Sequence, residues 1–181
     1  MGPPGVGKGT QADCIKNELM ILHLSTGEIL RAEVDAKSVI GRNAKLYMDF
    51  GRLVPDNILI EIVKERISKS DCQNGYILDG FPRTLPQAKG LDEMMHSVGH
   101  DLECAISLTA DKDELLNRLI KRGEESSRSD DTPEVIRNRQ KIYWEQTAPL
   151  LDFYHDKGIL KEVDGLGEIP EITKRILDVL K

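Results

Sequence analysis

The chain has 181 residues, of which 31% are charged and 39% hydrophobic, with a net charge of −6. These values suit one globular domain with a substantial core, and the acidic balance excludes bulk electrostatic binding of nucleic acid. No apolar run approaches the roughly 20 residues that span a bilayer, and no signal-peptide core is visible, so the expectation is a cytoplasmic protein without a membrane partner.

The chain opens on its most informative stretch, Gly2-Pro3-Pro4-Gly5-Val6-Gly7-Lys8-Gly9-Thr10. It satisfies most of the G-x-x-x-x-G-K-[ST] phosphate loop, in which glycines let backbone N–H groups turn inward around phosphate oxygens. Lys8 supplies a mobile positive charge for the β- and γ-phosphates, and the following helix adds the positive end of its dipole. Gly9 follows the lysine, so the hydroxyl that would stand near Mg²⁺ is displaced to Thr10.

Apolar spacing predicts a helix over residues 8–19 and a short buried strand over 21–24. Ser25-Thr26-Gly27-Glu28 reads as a capping box that starts a helix through Val34. A second helix is expected over about 38–50, stopping at Gly51, and Asp56 is expected to cap a helix carrying Ile58, Ile62, Val63 and Ile67. Residues 76–80 form an apolar strand that includes Asp79, an acid positioned to hold Mg²⁺ through water. Thr84 to Gln87 reads as a possible capping box for the next helix. A strand over 103–109 and a helix rich in leucine from Asp111 follow. A polar loop from Gly123 to Asp130 then precedes a long helix to about Lys157, a strand over 160–163 and a last helix over about 169–180. Alternating strands and helices predict a parallel sheet covered on both faces, with the ligand crevice beyond the carboxyl ends of the strands.

Arg31, Arg83, Arg122, Arg128 and Arg139 fall in or beside loops and helix ends expected on that ligand side. In an acidic chain carrying a phosphate loop, they suit a reaction that brings several phosphates together, because a guanidinium holds phosphate bidentately and stabilises charge in transfer. Cys14, Cys72 and Cys104 are widely spaced with no C-x-x-C pair, which argues against a cysteine-built zinc site and for reduced thiols. His23, His96, His100 and His155 show no metal-ligand spacing and read as structural.

At this point the chain resembles the adenylate kinase family. The resemblance rests on residues 2–10, on Leu-Ser-Thr-Gly-Glu-Ile-Leu-Arg at 24–31, on Asp-Gly-Phe-Pro-Arg-Thr at 79–84 and on Arg-Ser-Asp-Asp at 128–131. It implies an α/β fold of the phosphate-loop nucleotide hydrolase type, one domain over 1–181, with a mobile nucleoside-monophosphate-binding segment at 25–54 and a short lid at 121–131. It assigns Gly5, Val6, Gly7, Lys8, Gly9 and Thr10 to the ATP phosphates, and places Arg118 and Gly167 at the ATP adenine. Thr26, Arg31, Arg52, Leu53, Val54, Gly80, Phe81, Pro82, Arg83 and Gln87 would bind AMP, with Arg83 at its phosphate. Arg122, Arg128 and Arg139 would close over the phosphates, while Asp130 and Asp131 position the lid. The implied activity is Mg²⁺-dependent phosphoryl transfer from ATP to AMP giving two ADP, without zinc, by a monomer. Two alternatives stand beside it. One is a UMP/CMP-type kinase, which Thr26 and Thr84 disfavour; the other is a non-catalytic, truncated nucleotide-binding form.

A phosphate loop normally joins a buried strand to a helix, and Met1 alone cannot supply one. The expectation is that the central sheet lacks its first strand here, and that the natural protein begins about six residues upstream with an apolar strand, since unpaired ladder groups would cost about 1–3 kcal/mol each.

Overall fold

The computed structural model describes residues 1–125 and 132–181. After the phosphate loop the chain runs α1 (Lys8–Leu19), β1 (Leu22–Ser25), α2 (Thr26–Asp35), α3 (Val39–Met48) and α4 (Asp56–Ile67), then a 3₁₀ turn (Ser70–Asn74) into β2 (Tyr76–Asp79). It continues through α5 (Leu85–Val98), β3 (Ala105–Thr109), α6 (Lys112–Glu125), α7 (Pro133–Ile142), a π turn (Tyr143–Thr147), α8 (Pro149–Asp156), β4 (Leu160–Asp164) and α9 (Ile169–Val179). The architecture is α/β with parallel strands, as the alternation of periodicities implies.

The strands form two parallel ladders. In one, β1 runs beside β2 with Leu22 opposite Tyr76 and Ser25 opposite Asp79; in the other, β3 runs beside β4 with Ala105 opposite Leu160. Among the described residues no ladder joins β2 to β3 and no strand precedes the phosphate loop. Met1 lies against the edge of β3 turned away from β4: its nitrogen donates to the Ile106 carbonyl, and its carbonyl accepts from the Leu108 N–H at 3.0 Å.

Each ladder anchors its own core. Leu24, Leu30, Leu59, Val63, Phe81 and Leu91 pack on the first, and Val6, Ile15, Leu108, Leu115, Val163 and Ile176 on the second. Val6, within the phosphate loop, is fully buried. The loop is thus anchored by apolar burial, which contributes roughly 1.5–3 kcal/mol for a side chain of this kind, while Gly5, Gly7 and Gly9 stay partly exposed.

Local chemistry explains most element ends. Ser25 accepts from the Glu28 N–H, Ser38 from that of Gly41 and Thr84 from that of Gln87, each satisfying an otherwise orphaned first-turn donor. Two expectations are corrected. Asp56 does not cap its helix: Pro55 takes the cap position without a side-chain bond, and Asp56 is the first helical residue. The long helix expected to reach about Lys157 is broken at the π turn. Pro149 has no N–H to give to the carbonyl one turn back, so the backbone widens and the Ala148 N–H bonds the Tyr143 carbonyl at 2.8 Å, five residues away.

Candidate active site

The phosphate loop curves as its glycines allow. Gly5 and Gly7 have φ of 91° and 95°, and Gly7 caps α1 in the left-handed conformation. At Gly5 the fit is also steric: a Cβ would come within 2.8 Å of the Leu115 carbonyl oxygen and 2.9 Å of Leu119 Cγ. Lys8 stands at the start of α1 and folds back over the loop, donating to the Gly2 and Pro3 carbonyls at 2.8 and 3.0 Å. Its pKa is lowered to about 7. Burial is the main cause; Asp79 opposes the shift, and the positive charges of Arg83, Arg139 and Arg122 reinforce it.

Four of the residues singled out in the sequence therefore share one electrostatic field, although they come from α1, the loop after β2, α6 and α7. Asp79 closes that field from the end of β2. Burial lifts its pKa, but a hydrogen bond with His23 and the charges of Lys8, His23 and Arg83 prevail, so the carboxyl is held below its ordinary range. Asp79 Oδ2 lies 3.5 Å from where a Cβ on Gly9 would stand, an ordinary contact distance, so the carboxylate is next to the residue after the lysine. Thr10 is exposed on the next turn position of α1.

Beside the loop opens a cleft lined by Thr26, Gly27, Leu30, Arg31, Met48, Gly51, Arg52, Leu53, Val54, Leu59, Gly80, Arg83 and Arg139. Seven of these were anticipated as binding one nucleotide, Thr26, Arg31, Arg52, Leu53, Val54, Gly80 and Arg83, and an eighth, Arg139, as reaching over the phosphates. Thr26 donates its hydroxyl to the Gly80 carbonyl at 2.9 Å, tying the start of α2 to the loop after β2. Arg83 Nε donates to the same carbonyl at 2.7 Å. Phe81 is buried behind this wall, joined to Pro82 by a cis peptide bond. Gln87 does not line the cleft. It is fully buried, with its amide bonded to Asp56 and to the Arg83 N–H.

On the far side of the loop, Arg118 pairs with Glu114 at 2.7 Å and donates to the Gly165 carbonyl at 3.3 Å. That brings it to the turn holding Gly167, whose φ is 119°. Of the two residues expected at a second base, one thus contacts the turn that contains the other. Arg128, Asp130 and Asp131 lie outside the described residues, as does the polar loop from position 126 onward.

A family model described as adenylate kinase matches residues 1–159. Curated adenylate kinases from Nocardioides sp. and Leptospira biflexa are 47% and 49% identical to this chain. The alignments cover 99% and 98% of it, and 94% and 95% of those relatives. One from Kocuria rhizophila is 46% identical over the whole chain. The chain belongs to the adenylate kinase family.

In this adenylate kinase family member, several contacts that shape the site carry no local sequence signature. Gln140 donates from α7 to the Pro4 carbonyl of the phosphate loop at 3.1 Å, and Thr147 donates from the π turn to the Arg83 carbonyl at 2.9 Å. His23 lies within 3.1 Å of Asp13 and 3.4 Å of Asp79, and its hydrogen bond with Asp79 is the main cause of a raised pKa. These join elements 64 to 136 positions apart in two cases, and no periodicity points to such pairs. Among the described residues no three His, Cys, Asp or Glu side chains converge as metal ligands, and no helix is long and apolar enough to cross a membrane.

Proposed function

We propose that this chain catalyses reversible phosphoryl transfer from ATP to AMP, giving two ADP. The observation that carries this reading is the convergence of Lys8 with Arg83, Arg122 and Arg139 between a phosphate loop and a separate arginine-lined cleft. One phosphate site would serve an ordinary nucleotide hydrolase; two phosphate-binding surfaces facing a shared group of cations suit a donor and an acceptor nucleotide.

In this reading residues 5–10 cradle the ATP phosphates and the cleft holds AMP, with Arg83 and Arg139 at its phosphate and Gln87 set behind its base. Segment 25–54 closes the acceptor side, and residues 121–131, with Arg122 and Arg128, form the short lid. Arg118 and the turn at Gly167 flank the ATP adenine. The acceleration comes from alignment and from neutralising charge on the transferring group, with no covalent intermediate. Closure excludes water, which would otherwise compete as acceptor. Asp79, at the end of β2 and largely shielded, would hold Mg²⁺ through water, with Thr10 as a second candidate, and the ion would supply charge neutralisation at the phosphates. A site that leaves the metal mostly to phosphates and water suits Mg²⁺ better than zinc. We place the protein in the cytoplasm as a monomer, to be checked by light scattering.

The test is a coupled assay offering AMP, dAMP, CMP and UMP with ATP and Mg²⁺. Preferred turnover of AMP is expected. Preference for CMP or UMP would assign the acceptor site to pyrimidines, and no turnover with any acceptor would reduce the chain to a nucleotide-binding protein.

A further inference from the structure

We propose that Asp56 is a positioning residue for phosphoryl transfer, acting through the Gln87 amide on Arg83. Asp56 is the first residue of α4, yet its carboxylate leaves its own helix uncapped and turns to α5. Oδ1 accepts from Gln87 Nε2 at 2.7 Å and Oδ2 from the Thr84 hydroxyl at 3.2 Å. The other end of the amide, Gln87 Oε1, accepts from the Arg83 N–H at 2.7 Å. Thr84 in turn accepts from the Gln87 N–H at 3.2 Å.

The arrangement admits one amide orientation. The Arg83 N–H can only donate and the carboxylate accepts, so a flipped amide would oppose donor to donor and acceptor to acceptor. Gln87 is 0% exposed, so water cannot readily replace either partner, and a buried group left unpaired carries a desolvation penalty. Arg83 is consequently held at several points, among them its N–H by Gln87, its carbonyl by Thr147 at 2.9 Å, and its guanidinium by the Gly80 carbonyl at 2.7 Å. The first of these leads through Gln87 to α4, the helix that follows the cleft-lining segment 51–54. Asp56 thereby links the end of that segment to the arginine that faces the acceptor phosphate. The inference rests on the acceptor-site assignment above.

The experiment is a double-mutant cycle on the full chain, measuring kcat and KM for AMP and for ATP together with thermal melts. Asp56→Ala is expected to lower kcat/KM for AMP about tenfold, the order set by one buried hydrogen bond, with the KM for ATP changed less than about twofold. Asp56→Asn keeps an oxygen for Gln87 Nε2 and should recover activity to within about threefold of the parent. In a Gln87→Ala background, Asp56→Ala should change kcat/KM for AMP less than about twofold, because the route to Arg83 is already cut. If Asp56→Ala does not fold at the assay temperature, the cycle is run with Asp56→Ser, a residue suited to helix starts. Additive losses in the cycle, an Asp56→Asn variant as impaired as Asp56→Ala, or an unaltered kcat/KM would each overturn the proposal. Arg83→Ala separates the two levels. A loss there with none at Asp56 overturns only the positioning role, whereas no loss at Arg83 removes the acceptor-site assignment and this inference with it.

Discussion

Gly51 is the position where a single carbon should disturb both stability and acceptor binding. It is buried at the end of the turn after α3, with φ of 63°, and lies against α7. A Cβ there would meet Arg139 Cγ and the Val135 carbonyl oxygen at 2.9 Å each, and Val135 Cγ1 at 3.0 Å. The arginine stem can move, but the carbonyl belongs to a helix backbone and cannot. Gly51→Ala therefore incurs two costs: about 1–2 kcal/mol for a left-handed alanine and about 1–3 kcal/mol for overpacking. The sum, roughly 2–5 kcal/mol, is a large share of the 5–15 kcal/mol typical of a domain. Urea unfolding should show it as a lower midpoint at unchanged slope. Because Gly51 and Arg139 line the same cleft, the KM for AMP should rise several-fold while that for ATP holds. Gly51→Asn divides the two costs, since asparagine tolerates the left-handed region but carries the same Cβ. The steric argument expects Asn to recover little of the loss. Full recovery by Asn would show that backbone conformation alone decides the position, and an unchanged Ala variant would refute the reasoning entirely.

Three further outcomes are expected. Lys8→Met should lower kcat by about 10²-fold or more, as for loss of a group that stabilises charge in the transition state, while the melt is retained; a variant keeping half of the parent's kcat would reject the role. With the Lys8 pKa lowered to about 7, the free enzyme binds fewer protons than the unfolded chain between that pH and the ordinary lysine value near 10.4, so its contribution to stability rises with pH across that window. Bound phosphate should restore the proton, so calorimetry at pH 8 in buffers of different ionisation enthalpy should show ATP binding with net proton uptake, and less near pH 6; no uptake at pH 8, or equal uptake in Lys8→Met, would contradict this. Finally, the buried Tyr154 hydroxyl has no hydrogen-bond partner among the described residues, so Tyr154→Phe should be neutral or raise stability by up to about 1 kcal/mol, and a clear drop in Tm would disprove it.

How much of this could be read from the chain follows from the range of each interaction. The phosphate loop, the caps at Ser25 and Thr84 and the glycine stop at Gly51 are local, so a few adjacent residues suffice to specify them. Parallel strands followed from the alternation of short apolar runs with helices. The pairing of β1 with β2 and of β3 with β4 did not, because ladders join residues tens of positions apart and the runs are alike in composition. Asp56 was misread as a cap because Pro-Asp before an apolar periodic run is an ordinary helix start. What decided otherwise was the more distant Gln87 and Thr84, which gave the carboxylate better partners than its own helix. Pro149 was visible, but apolar periodicity continued across it, and whether a proline ends a helix or widens one turn depends on what the flanking side chains pack against. Here Tyr143 and Thr147 on one side and Leu150 and Tyr154 on the other are all buried, so both halves are held in place.

The same balance of local and distant forces explains why the site is built as it is. An acidic chain must concentrate positive charge locally to hold polyphosphate, yet concentrating it without an anion raises the energy of the unliganded protein. Lys8 registers that cost directly, in a pKa depressed by burial and by three arginines. The cations come from separate elements: Arg139 from α7, Arg122 near the end of α6, and Arg83 from a loop braced by Thr147 and Gln87. Asp79 and the Gly2 and Pro3 carbonyls meanwhile give Lys8 partners near the loop. Phosphate binding would exchange those weak carbonyl contacts for charged ones and turn mutual repulsion among the cations into shared attraction to one group. In the proposed reaction that shared attraction would be strongest with both nucleotides bound, which would favour transfer to AMP over transfer to water.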